Sequence, residues 1–237
     1  MSFALVRSLL WTIPLCFSWT AVLVTLSFAI MPLASADTLT AIWRFWARSM
    51  LFLCGARVTV RGLENLTPGQ HYIFASNHLS LIDSPLLVAH LPRTLRFLAK
   101  RELFSIPFMG WYLGHQGHIA IDRGDARSTL RSMAEAARVI HDQQRSVLVF
   151  PEGTRSMDGQ MQEFKEGAAL LAIRAATPVV PVGVVGTERV LPSKAKEIRS
   201  APVELRIGAP LDVAGLDVKQ RAELTQRLRD AVAALIA

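Results

Sequence analysis

A histidine and an aspartate five residues apart are the first side chains in this sequence that could do chemistry together. His78 and Asp83 lie in segment 77–83, which reads NHLSLID. A neutral imidazole can take a proton from a hydroxyl group, while a carboxylate fixes its tautomer and stabilises the cation that forms. Chance alone produces about 0.2 such spacings in a chain of this composition, so the spacing is a weak signal. A purely structural hydrogen bond between the two side chains is the competing interpretation.

A second string whose residues could take part in chemistry occupies segment 150–156. It reads FPEGTRS and follows the apolar run 146–149. Gly153 permits a positive φ or the close approach of a ligand, and the planar guanidinium of Arg155 suits phosphate. The alternative is a capped turn in which Glu152 and Arg155 satisfy each other. A base–carboxylate pair combined with an anion cradle indicates acyl transfer to a phosphorylated alcohol.

Further cations stand near the ends of predicted strands. Segment 117–123 reads GHIAIDR and predicts a short strand that delivers Arg123 at its end. Lys100 and Lys165 lie near other strand or loop ends, although each by itself is typical of a solvated surface charge. A site at this kind of strand end is expected in open α/β sheets.

The elements that must position these residues follow from hydrophobic patterning. Helices are predicted at 125–142, 167–176 and 219–236. Strand–helix alternation predicts an α/β fold, with a mixed, largely buried β-sheet and helices on both faces. His78 would sit on a turn after a strand, and Asp83 would begin the next helix, with Pro85 in its first turn. The predicted strands are short and β-branched: 58–60, 72–75, 95–99, 119–121, 146–150, 179–185 and 203–207.

The N-terminal segment has the composition of a membrane anchor. No charged residue occurs from position 8 to position 36, and about 20 apolar residues suffice to cross a bilayer. A secretory signal peptide is the alternative, because segment 33–36 resembles a small-residue cleavage site, although the apolar run is long for one. Pro14 and Pro32 leave open whether the segment spans the bilayer or dips into it.

Segment 38–54 has helical spacing and carries Trp43, Trp46, Arg44 and Arg48. We interpret it as an interfacial helix whose arginines reach anionic phosphates, with an ordinary amphipathic helix packed on the domain as the alternative. The expected organisation is a membrane-anchoring helical segment at 1–57 and a catalytic domain at 58–237.

Composition narrows the class of partner. Hydrophobic residues make up 51% of the chain and the net charge is +7, with a mean hydropathy of +0.31. A basic chain binds nucleic acid or an anionic lipid surface, and the apolar N-terminus favours the membrane surface and no nucleic acid. The two cysteines, Cys16 and Cys54, form no disulfide framework, which indicates a reducing compartment.

Taken in order, these strings resemble the glycerolipid acyltransferase family, specifically its 1-acyl-glycerol-3-phosphate (lysophosphatidate) acyltransferases. The His78–Asp83 spacing matches the HxxxxD block of the family. Segment 117–123 is similar to the second block, segment 150–156 matches the third, and the Pro-containing strand 179–182 resembles the fourth. The resemblance covers residues 58–190.

The resemblance implies a function and a set of roles. A fatty acyl group would pass from an acyl thioester to the sn-2 hydroxyl of 1-acyl-glycerol-3-phosphate, giving phosphatidate. His78 would be the general base and Asp83 its orienting partner, with a backbone N–H near the His78 turn suggested for the oxyanion. No metal or cofactor is implied, only acyl-CoA or acyl-carrier protein as co-substrate. The implied substrate-binding residues are Lys100, Arg123, Glu152, Gly153, Thr154 and Arg155.

The resemblance also implies a location, and it leaves alternatives open. The lipid substrate lives in a membrane and the donor is cytosolic, so we expect a membrane-associated protein whose catalytic domain faces the cytoplasm, as at a bacterial inner membrane. An acyltransferase for another acceptor, such as a lyso-ornithine lipid, a lysophospholipid or glycerol 3-phosphate, fits the same motifs. An acyl-thioester hydrolase and a non-catalytic membrane protein that retains the fold are the other classes.

Overall fold

One β-sheet organises the computed structural model, which describes residues 2–91, 95–106, 109–122 and 126–237. Within those residues the sheet has seven strands, in the order β1-β7-β6-β2-β5-β3-β4. The strands are β1 (Ala56–Arg61), β2 (Ile73–Ser76), β3 (Leu95–Lys100), β4 (Ile119–Ile121), β5 (Ser146–Val149), β6 (Val179–Val185) and β7 (Ala201–Ile207).

Helices precede, connect and follow these strands. They are α1 (Phe3–Arg7), α2 (Ile13–Ile30), α3 (Ala36–Leu53), α4 (Asp83–His90), α5 (Met109–His115), α6 (Ala126–Gln143), α7 (Gly167–Ala175), α8 (Thr187–Val190) and α9 (Arg221–Ile236). A π-helical segment, Ser8–Thr12, joins α1 to α2, and short 3₁₀ segments occupy Leu63–Asn65, Arg101–Ser105 and Val218–Gln220.

Strand directions decide where a site can form. Strand β2 pairs in parallel with both β5 and β6, and β3 pairs in parallel with both β5 and β4. Strand β7 runs antiparallel to β6 and parallel to β1. The carboxyl ends of β6, β2, β5, β3 and β4 therefore meet at one edge, where open α/β sheets bind ligands. We call this the carboxyl edge.

Two apolar clusters cover the two faces of the sheet. Because side chains alternate along a strand, Phe74 of β2 joins a cluster with α3 and α4, whereas Ile73 and Ala75 join a cluster with α6, α7 and α9. All four residues of β2 are buried, as expected for a central strand. The predicted fold class, a mixed buried sheet with helices on both faces, is confirmed.

The N-terminal helices form an apolar hairpin beside the sheet. The continuous helix Phe3–Ile30 is, by length and composition, able to cross a membrane. Only 11% of the residues in its most apolar 18-residue stretch are buried. Trp46 of α3 donates its indole N–H to Thr20 Oγ1 of α2 at 3.0 Å. The predicted apolar helical segment is therefore present, and it is joined to α3 by specific contacts.

Helix α3 packs on the sheet domain with one face and leaves Phe45 and Phe52 exposed on another. The suggestion that Arg44 reaches lipid phosphates needs correction. Its guanidinium donates to the carbonyls of Leu91 and Ala89, the latter at 3.0 Å. Because the last carbonyls of a helix lack partners within it, Arg44 caps the end of α4 and ties the N-terminal hairpin to it.

The predicted secondary structure agrees with these elements to within one or two residues at most ends. Strands β4 and β6 match the expected bounds, and the helix expected at 125–142 is α6. The residue at 125 lies outside the described part of the chain. The boundary expected between 57 and 58 falls inside β1 and stays a prediction.

Candidate active site

The site begins where β2 leaves the sheet. Asn77 follows the last residue of β2, and its side-chain amide donates to Val184 O at 2.9 Å and accepts from Val184 N at 2.8 Å. The amide thereby extends the hydrogen-bonding ladder between β2 and β6 by one position. The chain is fixed at the point where His78 turns out of the sheet.

His78 and Asp83 are in direct contact. His78 Nδ1 lies 2.7 Å from Asp83 Oδ2, and because an ionised carboxylate only accepts hydrogen bonds, Nδ1 carries the proton. Asp83 is fully buried at the first residue of α4, where a helix N-terminus favours a negative charge. Its Oδ2 also accepts from the backbone N–H groups of Leu79 at 2.7 Å and Ser80 at 2.9 Å. The partly exposed imidazole is left with Nε2 as its proton-accepting atom.

The second string lies against the first. The His78 ring stacks on Phe150, with centroids 3.9 Å apart and planes 15° apart. The His78 N–H donates to Glu152 Oε1 at 2.7 Å, and Ser156 N–H donates to His78 O at 2.8 Å. Strand β5 delivers these residues beside β2, so the two strings share one set of hydrogen bonds.

Glu152 points inward rather than into solvent. It is buried, and its Oε2 accepts from Gln162 N–H at 3.0 Å. Burial raises the pKa of Glu152, and the N–H donors of Gln162 and His78 oppose that rise. Glu152 thus accepts two backbone N–H groups, whereas the alternative interpretation paired it with Arg155. Its carboxylate fixes the backbone on which His78 stands.

The remaining members of the third block form the rim. Gly153 has φ of +76°, a left-handed conformation that glycine adopts most readily. Gly153 and Thr154 are exposed, and Arg155 is half-buried. A Cβ on Gly153 would lie 3.0 Å from Lys165 Nζ. Lys165, a cation noted in the sequence, is therefore brought against this turn.

The other two predicted substrate-binding cations are Lys100 and Arg123. Lys100 ends β3 at the carboxyl edge, but its Nζ lies 2.9 Å from Glu102 Oε1, and 55% of its side chain is exposed. Its charge is therefore partly neutralised locally. Arg123 lies outside the described residues, although β4, which precedes it, ends at the same edge.

The backbone N–H groups suggested for the oxyanion are engaged elsewhere. Those of His78, Leu79 and Ser80 donate to the carboxylates of Glu152 and Asp83. An N–H held by a buried carboxylate is not available to a developing alkoxide. These three groups are therefore not oxyanion donors, and for the other N–H groups near the turn the suggestion stays a prediction.

One contact was missed by sequence reasoning. Thr187, at the start of α8, donates its hydroxyl to Asp83 Oδ1 at 2.5 Å. The two residues are 104 positions apart, and no local pattern marks Thr187. The only available hint is its place directly after Gly186 at the end of a predicted strand.

The arrangement can remove a proton from a hydroxyl next to an anion. Nε2 of a tautomerically fixed imidazole is the base. In the part of the chain that the structure describes, cations lie at the same edge in the segment after β5, Arg155 and Lys165, and at the end of β3, Lys100. Among the described residues, no group of three or more His, Cys, Asp or Glu side chains could hold a metal ion.

Comparison with known proteins identifies the family. The acyltransferase family model matches residues 57–185. The chain belongs to the acyltransferase family. The matched region contains the turn of His78 and Asp83 and the whole third block.

Individual relatives agree with this assignment. A 1-acyl-sn-glycerol-3-phosphate acyltransferase of Chlamydomonas reinhardtii is 38% identical over 64% of this chain and 45% of its own length. The human 1-acyl-sn-glycerol-3-phosphate acyltransferase alpha is 34% identical over 75% of this chain and 63% of its own length. This chain thus spans about half to two thirds of the length of these relatives.

A solved structure matches nearly the whole chain. The crystal structure of the 1-acyl-sn-glycerophosphate acyltransferase PlsC from Thermotoga maritima superposes with a TM-score of 0.83 at 26% identity. The match covers 98% of this chain and 95% of that one, so it includes the N-terminal helices.

Proposed function

We propose that this acyltransferase transfers a fatty acyl group from an acyl thioester to the sn-2 hydroxyl of 1-acyl-glycerol-3-phosphate, forming phosphatidate for phospholipid biosynthesis. The observation that carries the proposal is the 2.7 Å contact between His78 Nδ1 and Asp83 Oδ2, beside a turn that presents Arg155. The names of the relatives, each a lysophosphatidate acyltransferase, support the acceptor.

His78 takes up one proton and returns it within the same reaction cycle. His78 Nε2 accepts the hydroxyl proton as the acceptor oxygen attacks the thioester carbonyl, and Asp83 stabilises the resulting imidazolium. When the tetrahedral intermediate collapses, the carbon–sulfur bond breaks and the imidazolium returns the proton to the leaving thiolate. The products are the acylated lipid and a free thiol, and the ring is neutral again.

Direct attack by the acceptor is favoured over an acyl-enzyme. Three serine hydroxyls in or beside the two strings are used as donors within the fold. Ser76 Oγ donates to Asn77 O, Ser80 Oγ to Leu191 O, and Ser156 Oγ to Asp158 Oδ1. A nucleophilic serine would need its hydroxyl directed at the base, and these three are directed elsewhere.

The acceptor phosphate is assigned to the rim formed by the third block. Arg155 and Lys165 supply positive charge there, and Gly153 and Thr154 line the approach. The family resemblance adds Lys100 and Arg123 as further cations. Guanidinium and ammonium groups bind a phosphate monoester strongly. A lysophospholipid or lyso-ornithine headgroup is the alternative occupant, and acceptor competition separates the two.

The N-terminal hairpin gives the site its location. We propose that residues 1–57 anchor the protein in the membrane and that residues 58–237 form the catalytic domain, held at the cytoplasmic surface of a bacterial inner membrane. The lipid acceptor and product stay in the bilayer, whereas acyl-CoA or acyl-carrier protein arrives from the cytosol. A base at that boundary meets both substrates.

The test supplies membranes containing the protein with labelled acyl-CoA or acyl-carrier protein and compares lysophosphatidate with other lysolipids. Wild-type protein is expected to form labelled phosphatidate. His78→Ala is expected to reduce the rate by about 10²–10⁴-fold, the usual contribution of a general base. His115→Ala, at an exposed histidine on α5, is the matched control and is expected to retain the wild-type rate.

Two results would reject the proposal in different ways. Thiol release that is equally fast without any lysolipid would identify a hydrolase. Full phosphatidate synthesis by His78→Ala would show that the imidazole is not the base.

A further inference from the structure

The two carboxylate oxygens of Asp83 have different hydrogen-bond donors. Its Oδ2 accepts from His78 and from two backbone N–H groups, whereas Oδ1 accepts from the hydroxyl of Thr187 at 2.5 Å. Both residues are fully buried. Water therefore does not compete for Oδ1, and the hydroxyl of Thr187 is its hydrogen-bond donor in the described part of the chain.

Backbone contacts outside the active-site turn confine the segment that carries Thr187. Gly186 leaves β6 with φ of +87°, and a Cβ there would lie 2.5 Å from Pro202 O, so the backbone is closely confined. Leu191 N–H donates to Thr187 O at 3.0 Å and closes the short helix α8. The hydroxyl is thus presented to Asp83 from a rigid strand end.

We propose that Thr187 is a positioning residue. Its hydrogen bond to Asp83 Oδ1 sets how strongly Asp83 stabilises the doubly protonated, cationic form of His78. The proposal rests on the proposed function of His78 as a general base. A hydroxyl donor takes up part of the carboxylate charge, which lowers the attraction between Asp83 and the imidazolium. The imidazole then stays neutral, and able to accept a proton, at lower pH than it would beside an unshared carboxylate.

Several charged side chains lie near Asp83 and Thr187. Glu152, on the loop after β5, contacts the turn through the His78 N–H. Lys165 lies against Gly153, where a Cβ would be 3.0 Å from its Nζ. On α8 itself, Glu188 and Arg189 are the neighbours of Thr187, and Arg189 Nε lies 3.5 Å from Glu188 Oε1. Thr187 is a neutral donor among these groups, so its removal changes no formal charge.

The decisive variant is Thr187→Val, which keeps the shape and removes the hydroxyl. Its profile of kcat/KM against pH is expected to have the acidic limb about one unit higher than the wild type, since one unit corresponds to a tenfold change in equilibrium. On that limb, kcat/KM falls about tenfold, and at higher pH it approaches the wild-type value. Thr187→Ser, which retains the hydroxyl, is expected to restore the wild-type profile.

Controls separate this effect from a loss of structure. Thr225→Val removes another buried threonine hydroxyl, which donates to Arg221 O on α9 at 2.7 Å, and its acidic limb should stay in place. Thr187→Ala, a smaller residue without a donor, should shift the limb if the valine variant folds poorly. A limb that does not move in Thr187→Val and Thr187→Ala, or a rate loss that is equal at every pH, would overturn the proposal.

A measurement without substrate distinguishes this proposal from the assignment of the acceptor. In detergent-solubilised protein, the ¹⁵N shift of His78 Nε2 reports ring protonation directly. Its titration midpoint is expected to rise in Thr187→Val and to stay in Thr187→Ser, even if lysophosphatidate proves not to be the acceptor. Equal midpoints in all three proteins would contradict the inference.

Discussion

Two buried carboxylates, Asp83 and Glu152, shape this site by accepting backbone N–H groups. Asp83 fixes the residues that follow His78, and Glu152 fixes His78 itself together with Gln162. Burial raises the pKa of Glu152, yet its two donors require two acceptor oxygens. A side chain with only one acceptor oxygen cannot replace it.

Glu152→Gln tests this requirement. One backbone N–H would face an amide N–H₂ group, and a buried unsatisfied donor costs about 1–3 kcal/mol. We expect kcat/KM to fall about tenfold or more, because the His78 turn is no longer held in position against segment 150–156. Glu163→Gln, at an 85%-exposed glutamate near Arg229, is the control and should behave as wild type. Unchanged kcat/KM in Glu152→Gln would show that the second acceptor oxygen is dispensable.

At the level of elements, the edge strand β4 depends on a neutral histidine. His118 Nδ1 accepts the Phe97 N–H at 3.1 Å, next to the pairing of β4 with β3. Burial, followed by the charge of Arg96, lowers the pKa of His118 from 6.5 to about 4. In the window between these values the unfolded chain binds a proton that the folded chain does not. The free energy of unfolding therefore decreases as the pH falls through that window.

His118→Asn retains an acceptor near the position of Nδ1 but does not titrate. The wild-type free energy of unfolding is expected to lose up to about 3 kcal/mol between pH 6.5 and 4 from this residue, and the variant should have a correspondingly flatter slope. Thermal unfolding of the solubilised protein over that pH range measures it. Parallel slopes for the two proteins would exclude this histidine as the cause.

At the level of the whole molecule, the N-terminal hairpin contacts the sheet domain through an apolar surface. Large apolar side chains stay exposed along α2, among them Leu15 and Phe17. Near the end of that helix Phe28 stacks on Trp111 of α5, with ring centroids 5.8 Å apart. The apolar surface is thus continuous with the sheet domain, as expected for a site that takes its acceptor from a bilayer.

A protease site inserted beside Gly159, on the exposed loop after the third block, reports the orientation. When the protein is expressed in a bacterial inner membrane, inverted vesicles should be cleaved if, as we propose, the catalytic domain faces the cytoplasmic side from which the donor arrives. Intact spheroplasts should be protected until detergent is added. Cleavage in intact spheroplasts would place the catalytic domain on the opposite side.

The sequence by itself determined the elements and the chemistry within each string. Periodicity located β4, β6 and α6, because buried faces impose a repeat that can be counted along the chain. The spacing of His78 and Asp83, together with the strand end and helix start predicted around it, predicted their contact, because that local geometry folds the two side chains together. The order of the motifs was enough to indicate the family.

Only the tertiary structure decided which distant residues meet. The strand order β6-β2-β5 brings Glu152 and Thr187 to opposite sides of the His78 turn, across separations of 74 and 104 residues. Packing of α3 against α4 likewise brings Arg44 to the carbonyl of Ala89, 45 positions away. Side-chain partners depend on which strands become neighbours, and that choice is made by packing the whole sheet rather than by any local pattern.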